Sequence, residues 1–334
     1  MTLTRRSALL GAAGLLGACA TRAPSQPAWA SAPPMPWAAQ EIYAAVAGGK
    51  VYVAGGLTGP APGSRSLGIL DRTGVYDPRT DRWSEGPRLP QPIHHPVLAA
   101  VGGRVFAIGG FRAVAEGQWS GQREVLALDG DRWMSAGALP APQSESVALE
   151  QGGRIHLLTG RTPGGSANAN WQDQADTDAH RIFDPTSGRW TGARPAPAPR
   201  NSAAGAVIGG MLYLVGGRTV AGGNMDRLDR YDPRTDAWES LAPLPQASGG
   251  LAAAALDGRL YAFGGEYFGP GGRGVYPHTW IYDPREDRWS AGPPMLTPRH
   301  GLAGAAVAGR VLAIGGASQA GAAETTAIVE ALTA

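Results

Sequence analysis

Six polar sets recur along the chain, each just before a run of small apolar residues. They are Gln40 and Glu41, His94 and His95, Ser144 and Glu145, Arg200 and Asn201, Gln246 and Ser248, and Arg299 and His300. Three more charged residues, Arg161, Arg218 and Glu266, directly follow Thr159-Gly160, Gly216-Gly217 and Gly264-Gly265. Polar residues at one point of every repeat would converge on a common mouth, where a ligand can be held over a rigid scaffold. The candidate ligand-binding residues are therefore Glu41, His94, His95, Glu145, Arg161, Arg200, Asn201, Arg218, Glu266, Arg299 and His300.

The longest loop after a terminal pair, residues 161–180, adds Asn168, Asn170, Trp171, Asp173, Asp176, Asp178 and His180. Amides and carboxylates beside one indole suit a carbohydrate, whose ring faces pack on aromatic surfaces; Asn170 and Trp171 join the ligand-binding candidates. Asp173, Asp176 and Asp178 lack the D-x-D-x-D-G order of a calcium loop, so no metal is expected. Neither is a cofactor. A second loop, Glu266 to Arg273, carries Tyr267 and Phe268 among glycines, a composition for a flap over the site or for a turn.

These residues must be positioned by a repeat. Trp29, Trp83, Trp133, Trp190, Trp238 and Trp289 each stand 26 residues before Gly55, Gly109, Thr159, Gly216, Gly264 and Gly315. The return distance from each pair to the next Trp varies, so insertions are confined to one connection per repeat. Tyr-Asp-Pro or Phe-Asp-Pro begins at 76, 183, 231 and 282, with Trp six residues after each Asp. A period of roughly 50 residues signals a repeat architecture. Each repeat reads as four short strands: a small, Ala-rich inner one, a second ending at the glycine pair, a third ending in Tyr-Asp-Pro, and a fourth carrying the Trp. A large ring at a fixed offset in every repeat is read as packing rather than ligand stacking.

The Gly-Gly pairs, the Tyr-Asp-Pro steps and the spaced Trp together resemble the kelch family of β-propellers. That resemblance implies an all-β fold, six blades of four antiparallel strands, covering residues 29–334. The last repeat stops before any Trp, and Trp29–Pro36 resembles Trp289–Met295, so the N-terminal strand is expected to complete the final blade and hide its edge. In such blades the two-to-three loop and the residues before each inner strand share one rim, where variable loops carry function. The chain also resembles the exported N-acetylneuraminate epimerase family, in which a Gly-Glu step precedes Pro-Gly and Arg. Glu266, Pro270, Gly271 and Arg273 imitate it with one extra residue and in a different blade. That likeness implies opening of a sugar ring by an acid and a base, for which Glu266, Arg218 and His300 are the candidates for catalysis.

Thr4-Arg5-Arg6-Ser7 and the apolar run Ala8–Ala18 form the pattern of a twin-arginine export signal, residues 1–18. Leu16-Gly17-Ala18-Cys19 resembles a lipobox, which makes Cys19 the expected lipidation site, and residues 19–28 a short linker. The alternative is ordinary cleavage at Ala28-Trp29-Ala30. The protein is thus expected in the periplasm or on the envelope, touching membrane only through that lipid, and as a monomer. Among 334 residues, 29 Lys and Arg face 27 Asp and Glu; losing Arg5 and Arg6 leaves no basic field for nucleic acid. Cys19 is the only cysteine, so a cysteine nucleophile and the cross-linked tyrosine of a copper-radical oxidase are both disfavoured. The expected partner is a carbohydrate or a protein.

Overall fold

A computed structural model describes residues 27–60 and 66–333; Cys19 and the twin arginines lie outside them. Six four-stranded antiparallel sheets are formed. The fourth blade shows the pattern: inner strand Ala204–Ile208, then Met211–Val215, Leu228–Asp232 and outer strand Ala237–Leu241. The sixth joins the two ends of the chain, Ala28–Ala32 lying antiparallel to Val329–Thr333 with Trp29 opposite Leu332. Trp29 is 5% exposed, donates its indole N–H to Thr279 Oγ1 at 2.9 Å and meets Phe263 edge-on.

The repeated landmarks hold neighbouring blades together. Trp83, Trp238 and Trp289 donate their indole N–H groups to the carbonyls of Pro33, Arg194 and Ala242 in the preceding blade, at 3.0, 2.9 and 2.9 Å. Tyr231 and Tyr282 pack on Trp238 and Trp289 and reach Asp236 and Asp287 at 2.8 and 2.6 Å. The first glycine of each pair lies where the next blade's backbone presses: a Cβ on Gly109 would stand 2.0 Å from the Gln143 carbonyl oxygen. Thr159 meets the same left-handed conformation, with φ 53°.

Hairpins grow from four of the two-to-three loops. Leu57–Pro60 pairs with Leu67–Ile69, Phe111–Ala115 with Gln118–Gly121, Glu266–Gly269 with Gly272–Val275, and Ala317–Gln319 with Ala323–Thr325. In the third blade the strands themselves lengthen, Arg154–Pro163 against Gln174–Asp184. These extensions rise on the rim that carries the polar sets.

Candidate functional site

One register position in every blade turns the backbone left-handed: Glu41 (φ 54°), His95 (55°), Glu145 (50°), Ser202 (50°), Gly250 (68°) and Gly301 (58°). Their backbones are linked around the axis. Glu41 N–H donates to Gly301 O at 2.6 Å, Gly301 to Gly250 and Gly250 to Ser202 at 2.9 Å, Ser202 to Glu145 at 3.2 Å, and His95 to Glu41 at 3.3 Å. For an L-residue with a side chain this conformation costs roughly 1–2 kcal/mol. Gly250 and Gly301 avoid that cost. Glu41, His95 and Glu145 bear it while bringing ionisable groups to the axis, and such strain gathers where side chains serve function.

Above the ring lies a cleft of about 510 Å³ lined by Glu41, His95, Trp119, Arg161, Trp171, Arg218, Glu266, Phe268 and His300. His95 Nε2 stands 2.9 Å from Glu41 Oε2, and His300 Nδ1 lies 3.8 Å from Glu41 Oε1 and 3.4 Å from Glu266 Oε1. Glu266 also pairs with Arg218 and accepts the Gly321 N–H at 2.9 Å. Burial opposes charge on Glu41, but His95, His300 and Arg218 outweigh it and hold the carboxyl well below the usual range. Burial likewise opposes charge on Arg218, and Glu145, Glu266 and Glu41 overcome it, so the guanidinium is held more firmly charged than usual.

Arg161 stacks on Trp171, its guanidinium carbon 3.7 Å from the ring centroid, and its Nε is 3.1 Å from Glu145 Oε1. Cation–π contact in a desolvated place fixes the guanidinium plane. Its buried Nη1 has no hydrogen-bond partner among the described residues. Glu145 Oε2 accepts from Ser202 Oγ at 2.5 Å. Beneath the ring, Tyr43 shares a small cavity with Glu41, Ser202, Gly250 and Gly301. Burial, with Glu145 and Glu41 nearby, pushes its hydroxyl well above the ordinary range, so it remains a proton donor.

The structure thus brings Glu41, His95, Arg161, Trp171, Arg218, Glu266 and His300 into one cleft, with Glu145 behind Arg161. His94 stands outside the lining, its Nδ1 2.7 Å from that of His95, and burial together with His95 keeps its ring neutral well below the ordinary histidine range. Asn201 holds Asp176 at 2.5 Å. Asn170 serves the local turn, its side chain and backbone N–H bonding Asp173. His180 pairs with His156 inside the third blade.

Arg200 and Arg299 depart from their expected place at the mouth. Both are fully buried. Arg200 Nη2 meets Asp229 at 2.7 Å and Arg299 Nη1 meets Glu330 at 2.9 Å. Their backbone carbonyls accept from Gly160 and Gly265, as the carbonyls of Ala39, Ile93, Gln143 and Ser248 accept from their own neighbouring glycines. All six occupy one core position, a residue before the bridge to the glycine strand, and successive residues face opposite ways. Trp119 is the mouth residue that sequence reasoning missed, because its hairpin lies in the variable interval and keeps no fixed offset.

The molecule is a six-bladed β-propeller with a polar, charged cleft at the axial mouth of its loop face. The Kelch motif matches residues 44–90, 199–245 and 247–296, three of the six repeats, so in these repeats the chain is similar to kelch-repeat proteins. It is similar to Kelch-like protein terF of Aspergillus terreus, 27% identical over 56% of this chain and 40% of that protein. It is also similar to human Kelch-like protein 34, 28% identical over 55% of this chain and 37% of that protein. The chain therefore spans less than half the length of these relatives. A solved structure titled "Structure of YjhT" superimposes with TM-score 0.72 and 16% identity, covering 91% of this chain and 95% of that one; the likeness is one of fold.

Proposed function

We propose that this propeller binds a carbohydrate in its axial mouth. One observation carries the reading: the cleft joins carboxylates, imidazoles and two guanidinium groups to Trp119 and Trp171. Arg161, its plane fixed against Trp171 and its Nε beside Glu145, and Arg218, paired with Glu266, hold charged donors in place for ligand oxygens. Aromatic rings beside fixed polar groups match a sugar's apolar faces and hydroxyl edges. A recessed cleft favours a small polar ligand over a protein partner, which would engage the hairpin tips.

Arg161→Ala is expected to weaken sugar binding about tenfold or more, the loss of one charged hydrogen bond and its stacking plane. Isothermal titration against monosaccharides and short glycans measures it, and affinity equal to that of the unaltered chain sinks the assignment. A second reading, interconversion of sugar anomers, draws on Glu41 standing between His95 and His300, an acid and base pairing within one cleft. NMR of a freshly dissolved sugar distinguishes the two: exchange faster than in buffer supports the isomerase, and an unchanged rate removes it.

Export and lipid attachment at Cys19 complete the proposal, supported by the arginine pair, the apolar run and the single cysteine. Cys19→Ala is expected to move the protein from the membrane pellet to the soluble fraction. A variant that still pellets would place the anchor elsewhere.

A further inference from the structure

A second cleft, of about 710 Å³, lies between the hairpins of the first and second blades. Leu67 and Ile69 come from one hairpin, Ala113 and Ala115 from the other, with Gln91 and Arg112 among the polar lining. Ser66 Oγ donates to Glu116 Oε1 at 3.3 Å, tying the two hairpins together. Gly117 and Trp119 line this cleft and the axial mouth alike. The two clefts therefore lie side by side, outward from the axis, with the half-buried indole of Trp119 at their common border. Trp119 is held there edge-on by His94, at 4.3 Å, and by Trp171, at 5.9 Å.

Resting on the reading of the mouth as a carbohydrate site, we infer that the ligand is a linear oligosaccharide. Its terminal residue seats among Glu41, Arg161 and Glu266, and the following residues cross Trp119 into the groove between the hairpins. Each cleft alone falls within the roughly 300–1,000 Å³ of a small-molecule pocket, so the adjacent pair offers room for more than one sugar residue. Apolar walls interrupted by an amide and a guanidinium match a chain that presents ring faces and hydroxyl edges in turn. Trp119 supplies a stacking plane between the terminal residue and its neighbour.

The test uses the full chain on an array of linear glucans and N-acetylglucosamine oligomers, one to six residues long, followed by titration. For the linkage that binds, affinity is expected to rise at least about tenfold from one residue to three. Ala115→Trp, at an exposed position outside the mouth, is expected to abolish that gain and leave monosaccharide affinity unchanged. Equal affinity at every length, with Ala115→Trp indistinguishable from the unaltered chain, overturns the oligosaccharide inference while the carbohydrate mouth stands. Binding to no glycan of any length overturns both, as does retention on arrayed peptides alone.

Discussion

Replacing Glu330 by leucine is expected to lower the unfolding free energy by about 3–5 kcal/mol, because it strands a buried guanidinium without its counter-charge. Arg299 and Glu330 are 0% and 1% exposed. Arg299 Nη1 donates to Glu330 Oε1 at 2.9 Å and to Thr297 O at 2.8 Å, Nε donates to Gly315 O at 2.8 Å, and Thr297 N–H donates to Glu330 Oε1 at 2.9 Å. Burial pulls the Arg299 pKa down, and Glu330 opposes that pull. Deleting the carboxylate removes the opposition and leaves the desolvation. Urea unfolding measures the change. The double variant Arg299→Met with Glu330→Leu is expected to recover part of it, since no charge is then left inside the sixth blade. Arg79→Ala, which removes a surface partner of Asp77, is expected to leave the midpoint where it was. A loss below about 1 kcal/mol for Glu330→Leu would show that the arginine finds solvent instead.

The same pair shows where a sequence stops being informative. Ring number, blade boundaries and closure by Ala28–Ala32 were readable because Trp, glycine pairs and Tyr-Asp-Pro steps recur where blades touch, and contact between like blades imposes like residues. Glu41 and His95 were readable as mouth residues for the same reason, standing at one register, while Glu145 at that register lies buried behind Arg161. Arg200 and Arg299 were misplaced by a single residue. In the fourth and sixth blades the polar pair begins one position earlier, at the core site, and only the bridge of Asn201 to Arg218 and of His300 to Ala317 fixes the register. The hairpins were unreadable, being short and Gly-rich in the one interval whose length is free. With them went Trp119 and the groove it opens. The notion of a flap at Glu266–Arg273 is met by a hairpin whose first residue, Glu266, is 2% exposed in the site while Phe268 is 55% exposed at its edge.

Acid is expected to destabilise this propeller well above the carboxylate range, and the source is a histidine pair where the third blade meets the fourth. His156 Nδ1 and His180 Nε2 are 2.8 Å apart in the third blade, against Tyr231 of the fourth. His180 Nδ1 lies 3.2 Å from the Arg194 carbonyl, which can only accept, so Nδ1 carries the proton and Nε2 accepts from His156. Both rings are neutral in that arrangement. Burial pulls His156 down to about 4 from its ordinary 6.5; burial, then His156 itself, does the same to His180. As pH falls through 6.5 the unfolded chain takes up protons that the folded chain refuses, so stability drops until the folded rings titrate near 4. Each tenfold loss of proton affinity on folding corresponds to about 1.4 kcal/mol, so a single ring contributes about 3 kcal/mol over that window and the coupled pair more. His94, also kept neutral by burial, adds to the same slope. Glu41 acts lower: its depressed carboxyl contributes stability above the ordinary 4.5, lost only at more acid pH. Urea midpoints at about pH 7, 5.5 and 4.5 are therefore expected to fall steeply for the unaltered chain and less steeply for His156→Gln with His180→Gln. Parallel slopes for the two proteins would assign the acid sensitivity to His94 or to the charged mouth instead of the junction between the third and fourth blades.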